Sequence, residues 1–326
     1  MRKVILDVDT GSDDAVAILC AVLSKKLEVV GVCTECLLPI EVTTVNTLKV
    51  LQLLGQRIPV YRGAHQAMVR NLSPLRKRQM VFNRPVTVEG REIRMHMPFD
   101  LPLGDQRQEE KDAASFYVDY LRQCVEKVTI VLTGPMTNLA LALLMEPGIV
   151  EHIEELVIMG GGYHSANVSP YAESNFFRDP EAAQRVLSCG APITLLPLDA
   201  THAAALTPAQ QSRFESLGNP FYAFVAELMS ARRAVYDRTQ PLKKAGESLV
   251  PLHDALCIAY LLCPQVLTPM RSCFCAVSCG PGPADGALMV DERACPAAPN
   301  VRMALGADRE IFGDFLVETL GRGNQQ

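Results

Sequence analysis

Lys3-Val4-Ile5-Leu6-Asp7-Val8-Asp9-Thr10-Gly11-Ser12-Asp13-Asp14-Ala15 opens the chain with a short apolar run that meets carboxylates at positions 7, 9, 13 and 14. The apolar run reads as a strand, and the apolar residues from Ala15 to Leu23 read as the helix that follows it. Two unit charges about 4 Å apart repel by roughly 4 kcal/mol at an effective dielectric of about 20, so several aspartates converging at one strand end call for a cation among them. A hard, oxygen-seeking ion such as Ca²⁺ or Mg²⁺ suits that donor set. The plainer alternative places Asp13 and Asp14 at a helix N-terminus and leaves Asp7 and Asp9 in solvent.

The same alternation continues outward. Leu27 to Val32 precedes a helical stretch from Val42 to Leu54, and Val128 to Leu132 precedes one from Leu139 to Leu144. Leu156 to Met159, a helix from Glu181 to Leu187, and Ile193 to Leu198 extend the series. Strand and helix in turn predict a doubly wound α/β fold, a mainly parallel sheet with helices on both faces. Ligands in such sheets bind beyond the carboxyl ends of the strands, so the strand-ending motifs at Asp7-Val8-Asp9, Thr133-Gly134-Pro135, Gly160-Gly161-Gly162 and Asp199 are expected to share one pole. Between about 63 and 112 the alternation lapses into a proline- and charge-rich segment, which predicts a lid or binding loop. No linker stands out, and one domain over 1–326 is expected. The tail reads as strand-like pieces at Phe274 to Val277 and Ala287 to Val290, then a helix from Arg309 to Leu320.

The 326 residues are 48% hydrophobic, ample for a core, with a net charge of −5. No basic block or arginine stripe appears, which argues against nucleic acid or an acidic membrane face and favours a small soluble ligand. The N-terminus lacks a signal-peptide pattern, and no apolar run approaches roughly 18 residues, so a cytoplasmic location without membrane association is expected. The eleven cysteines are scattered. The closest set, Cys273, Cys275 and Cys279, alternates along an apparent strand and lacks zinc-site spacing.

Further chemistry lies downstream. His253-Asp254 sits at the first turn of an apparent amphipathic helix. Met159-Gly160-Gly161-Gly162 is followed by Asn167, Glu173 and Asn175, hydrogen-bonding groups suited to hydroxyls. Together these pieces resemble the inosine-uridine-preferring nucleoside hydrolase family over essentially the whole chain. The family's Asp-x-Asp-Pro-Gly-x-Asp-Asp looks like Asp7 to Asp14, its Thr-Gly-x-x-Thr-Asn like Thr133 to Asn138, its Glu-x-Asn like Glu173 and Asn175, and its late His-Asp like His253-Asp254.

The resemblance implies calcium-dependent hydrolysis of the N-glycosidic bond of ribonucleosides to ribose and free base. It implies one Ca²⁺ held by Asp9, Asp14, the Thr133 carbonyl and Asp254. Asp9 would be the general base for water at the metal, Asp13 would hold a ribose hydroxyl, and Asn167, Glu173 and Asn175 would grip the 3′ and 5′ side of the sugar. His253 would face the base and, with a histidine's ordinary affinity for protons, donate one to it. His96, in the irregular segment, would approach the sugar as part of the lid. A homodimer or homotetramer is implied as well, while base preference, dependent on the lid and on the segment near Tyr222 and Tyr236, stays open.

Three positions depart from the family pattern. Thr10 replaces a proline that shapes the turn, Ser174 replaces an aromatic residue, and Leu38 aligns with an asparagine that places an amide beside sugar and water. A missing catalytic hydrogen-bond donor costs about 10²–10³ in rate. A degenerate hydrolase that binds nucleosides with little turnover is therefore an alternative. Asp7-Val8-Asp9-Thr10 also looks like the start of haloacid-dehalogenase-type phosphatases, in which Asp7 would be the nucleophile and Mg²⁺ the metal, but this leaves the other motifs unused.

Overall fold

The computed structural model describes residues 1–76, 83, 85–244 and 246–322. Its centre is an eight-stranded sheet. In chain order the strands are β1 (Arg2–Val8), β2 (Leu27–Thr34), β3 (Val60–Arg62), β4 (Val128–Leu132), β5 (Ile153–Met159), β6 (Ile193–Leu196), β7 (Met270–Cys273) and β8 (Val301–Ala304). Their order across the sheet is β7-β8-β6-β5-β4-β1-β2-β3. All neighbours run parallel except β7, which pairs antiparallel with β8 at the edge.

The helices are α1 (Ser12–Leu23), α2 (Ile40–Leu53), α3 (Ala113–Gln123), α4 (Thr137–Met145), α5 (Ser174–Arg178), α6 (Pro180–Leu187), α7 (Leu198–Ala203), α8 (Pro208–Ser216), α9 (Pro220–Thr239), α10 (Ala255–Leu262) and α11 (Arg309–Gly321). They cover both faces, as the alternation of β1 requires. Val4, Leu6 and Val8 enter a core shared with α1, α9, α10 and α11. Ile5 enters the opposite core, with α3, α4 and α6. The fold is the expected doubly wound, mainly parallel α/β architecture, and no helix among the described residues is long and apolar enough to cross a membrane.

Some expectations change in detail. The strand-like pieces in the tail form a separate hairpin, Cys275–Val277 with Leu288–Val290, while the sheet edge comes from β7 and β8. Cys273 and Cys275 therefore lie on different strands, with their sulfurs 3.6 Å apart. Asp254 is the N-cap of α10, so His253-Asp254 forms the turn before that helix rather than its first turn.

The irregular segment contains the short hairpin Val86–Val88 with Arg91–Ile93. Part of it, 77–82 and 84, lies outside the described residues. Its start is pinned by Arg70 and Arg76, which donate to the buried Asp285 at 2.6 and 2.7 Å. Its end is clamped by Asn46, whose Nδ2 donates to the carbonyls of Thr10 (3.2 Å) and Met97 (3.0 Å) and whose Oδ1 accepts from the Phe99 amide (3.0 Å).

Candidate active site

The carboxyl ends of the central strands open into a cavity of about 300 Å³ whose walls include Asp9, Asp13, Thr133, Asn167, Glu173, Asn175, His253, Asp254 and His96. Asp14 sits beneath them. Carboxylate oxygens of Asp13, Asp14 and Asp254 lie within 4.8 Å of one another. The residues singled out from the sequence thus converge at one pole.

The strand-to-helix turn after β1 sets the acidic cluster. Gly11 caps α1, and its amide donates to Asp14 Oδ2 at 3.0 Å. The turn is held by the buried hydroxyls of Thr10 and Thr47, 2.6 Å apart, where the family pattern has proline. Glycine is needed here for approach rather than for its dihedral freedom: a Cβ on Gly11 would fall 1.9 Å from Nδ1 of His96. His96 accepts a hydrogen bond from the Ser12 amide at 3.3 Å, which places the irregular segment over the helix start.

Burial and mutual repulsion shape the cluster's electrostatics. Burial, then the charge of Asp14, holds the Asp9 carboxyl well above the carboxylate range. Asp254 is raised by burial and then by Asp13, Asp14 and Asp9. Asp14 is pushed up to about 6 by burial and by Asp13. Asp13 differs: burial would raise it, but the Arg232 guanidinium, with His253 and His96 adding to it, holds it low. Carboxyls that raise one another in this way lack positive charge. The donors are all oxygens, and this fits a hard divalent cation.

Thr133 connects the acidic cluster to Asn175. Its hydroxyl donates to Asp14 Oδ1 at 2.8 Å, and its carbonyl accepts from Asn175 Nδ2 at 2.9 Å. Glu173 caps α5 and accepts from the amides of Asn175 (2.9 Å), Gly161 (2.9 Å) and Phe176 (3.2 Å). Burial still pushes its carboxyl up to about 7. Gly161, at φ +70°, lets the backbone turn toward this carboxylate. Oδ1 of Asn167 is buried with no hydrogen-bond partner among the described residues, an acceptor suited to a hydroxyl. Asp199 serves the loop instead, accepting from the Tyr163 and His164 amides at 2.7 and 2.9 Å.

His253 is bound at both ring nitrogens. Nε2 lies 2.7 Å from the Tyr236 hydroxyl and Nδ1 2.7 Å from Thr201 Oγ1. Thr201 donates onward to the Leu198 carbonyl, so it accepts from Nδ1–H, and Nε2 in turn accepts from Tyr236. Burial and then Arg232 hold the imidazole's proton affinity well below the ordinary histidine value. The expectation of a histidine with ordinary proton affinity is thereby corrected.

Asp7 faces away from the cavity because it has the parity of Ile5. It accepts from Tyr117 (2.8 Å) and Asn138 Nδ2 (3.0 Å) beneath the sheet end. A phosphatase nucleophile there would have no access to the cavity. On the β2–α2 loop it is Leu37, rather than Leu38, that lines the cavity. The sequence reading also missed Arg232, Thr201, Gln240 and Arg178. Arg232, Tyr236 and Gln240 are four residues apart along and just beyond α9, a one-face polar spacing that could have revealed them.

The sequence model of the family described as inosine-uridine preferring nucleoside hydrolase matches residues 4–314. The chain is 32% identical over 324 residues to a pyrimidine-specific ribonucleoside hydrolase, RihB, of Escherichia coli strain SE11, covering 99% of this chain and 97% of that one. Among solved structures, the purine-preferring ribonucleoside hydrolase from Gardnerella vaginalis superposes with a TM-score of 0.84 at 28% identity, covering 100% of both chains. The plant nucleoside hydrolase PpNRh1 gives 0.82 at 26% identity, covering 98% of each. The chain belongs to the inosine-uridine preferring nucleoside hydrolase family. It is an enzyme, a ribonucleoside hydrolase that releases ribose and free base.

Proposed function

We propose that this hydrolase is calcium-dependent, with Asp9, Asp14, the Thr133 carbonyl and Asp254 as ligands. The observation that carries this is the convergence of buried carboxylates: oxygens of Asp13, Asp14 and Asp254 lie within 4.8 Å of one another, Asp9 lines the same cavity, and burial and then neighbouring charge raise Asp9, Asp14 and Asp254. When bound, Ca²⁺ would supply a Lewis acid that holds sugar hydroxyls and makes water easier to deprotonate.

The chain's own residues divide the remaining work. Asp9 takes a proton from the water whose oxygen attacks C1′ of the ribose. The C–N bond breaks with its electron pair passing to the base. Asp13, held by Arg232, and Glu173 place negative charge around a sugar that turns cationic as the bond breaks. Asn167 and Asn175 hold hydroxyls on the sugar, and His96 closes over its edge. At the far wall the Tyr236 hydroxyl, hydrogen-bonded to His253 Nε2, gives its proton to the departing base nitrogen and recovers one from solvent. Asp9 returns its proton to solvent, and the products are ribose and base.

A cytoplasmic homodimer or homotetramer of single-domain chains completes this reading. Its experiment is turnover of uridine, cytidine and inosine with and without a calcium chelator, beside calorimetry with ribose. Chelator-sensitive release of base, restored by Ca²⁺ but not by Mg²⁺, is expected. Full activity in chelator would overturn the calcium assignment, and binding without turnover would favour the nucleoside-binding alternative.

A further inference from the structure

Two departures from the family pattern, the leucine-bearing loop after β2 and Ser174 at the start of α5, meet at one side chain. Nη1 of Arg178 donates to the carbonyls of Cys36 (3.1 Å) and Leu37 (3.4 Å), and its Nε donates to Ser174 Oγ (3.4 Å). The outer nitrogen Nη2 is shut off from solvent. Placing a guanidinium out of water costs several kcal/mol unless nearby negative groups compensate it. Burial lowers the guanidinium's proton affinity, and the nearby Asp9, Cys36 and Glu173 counter it.

We propose that Arg178 is a positioning residue for nucleoside hydrolysis: it ties the Cys36–Leu37 backbone to the helix behind Glu173 and Asn175, and so fixes the wall beside Asp9. The chemistry of the loop explains why a tie is needed. Leu37 forms cavity wall but offers no side-chain hydrogen bond, so nothing at its own tip registers the loop against the sugar. Arginine's planar fork can hold two successive carbonyls with one nitrogen while another reaches across to Ser174. A lysine at 178 keeps the charge but cannot span both sides. Because the wall beside Asp9 borders water and C1′ rather than the base, a shift there acts on the bond-breaking step more than on affinity.

The inference rests on the sugar-side assignment of Glu173 and Asn175, and the test separates the two. Turnover of uridine and inosine is measured per ribose-binding site, counted by calorimetry, so that misfolded protein does not enter the rate. Arg178→Gln is expected to lower kcat per site by about tenfold to a hundredfold with KM changed less than about threefold, and Arg178→Lys to recover part of that loss. Ser174→Val keeps the arginine and removes its Nε partner, guarding against a variant that fails to fold. A loss of about threefold or more in kcat per site is expected from it. Wild-type kcat per site in Arg178→Gln or in Ser174→Val, or a loss confined to KM, would overturn the role of Arg178. Ribose binding by Glu173→Gln in the same calorimetry tests the sugar-side assignment separately: unchanged affinity would overturn that assignment and leave the arginine's effect on kcat to stand or fall alone.

Discussion

Nη1 of Arg232 lies 2.8 Å from Oδ1 of Asp13, joining α9 to the first turn of α1 through a buried ion pair. The same nitrogen donates to Ser12 Oγ at 2.8 Å, and Nε donates to the Pro251 carbonyl at 2.8 Å. The arginine thus ties α9 to α1 and to the segment before α10. Its charge is the largest of the influences that hold the Asp13 carboxyl low, while Asp9, Asp14 and Asp254 are raised.

Removing that guanidinium strands Asp13 among carboxylates. Arg232→Met is expected to cost about 3–5 kcal/mol in urea unfolding with chelator present, and adding Asp13→Asn should return a large part of it. Strictly additive losses would show that the pair is not coupled.

Tyr236 lines the cavity beside His253, to which its hydroxyl is bound, so that hydroxyl is expected to matter for poor leaving groups. Tyr236→Phe should lower kcat for inosine and uridine by about 10²-fold, the usual range for proton transfer, while a nitrophenyl riboside, whose leaving group needs no proton, loses little. Equal losses on both kinds of substrate would remove Tyr236 from the proton path.

Glu173 predicts a pH dependence with a definite sign. Its carboxyl sits at about 7 in the fold against an ordinary 4.5, so the native state binds the proton more tightly than the unfolded chain. Stability from this group is fully present below the unfolded value and falls as pH rises from there through about 7, by a few kcal/mol in all. Glu173→Gln cannot ionise. Its melting temperature relative to wild type should therefore rise between pH 4.5 and pH 8, whatever the offset from the altered hydrogen bonds, and a difference independent of pH would refute the assignment.

The β2–α2 loop offers a gain-of-function test. Because Leu37 lines the cavity, Leu37→Asn can present an amide to sugar and water, and a rise in kcat of about tenfold is expected, part of the roughly 10²–10³ that a well-placed catalytic donor contributes. Leu38→Asn should leave kcat unchanged. The reverse ranking would restore the simple alignment in which position 38 faces substrate.

Much of this molecule was legible in one dimension. Alternating strand and helix periods determined the doubly wound sheet, because parallel strands buried on both faces are apolar throughout and their connecting helices carry their own period. The spacing of Asp9, Asp13 and Asp14, the Thr133 strand end, Glu173 with Asn175, and His253-Asp254 determined where the chemistry lies and which family it resembles. These signals are local: each motif is the end of a strand or the start of a helix, and the topology carries strand ends to one pole.

Only the tertiary structure decided what each group does there. Residue parity on β1 turns Asp7 onto Tyr117 and Asn138, away from the cavity. Arg232 reaches Asp13 across 219 positions of sequence, and Arg178 reaches Cys36 across 142. Thr201 and Tyr236 occupy both nitrogens of His253. Charge state depends on burial and on partners brought from distant elements, and neither is encoded in the spacing of a motif. The sequence by itself determined which residues gather, and the packing of α5, α7 and α9 around them decided which partners each one meets and in which direction its proton affinity moves.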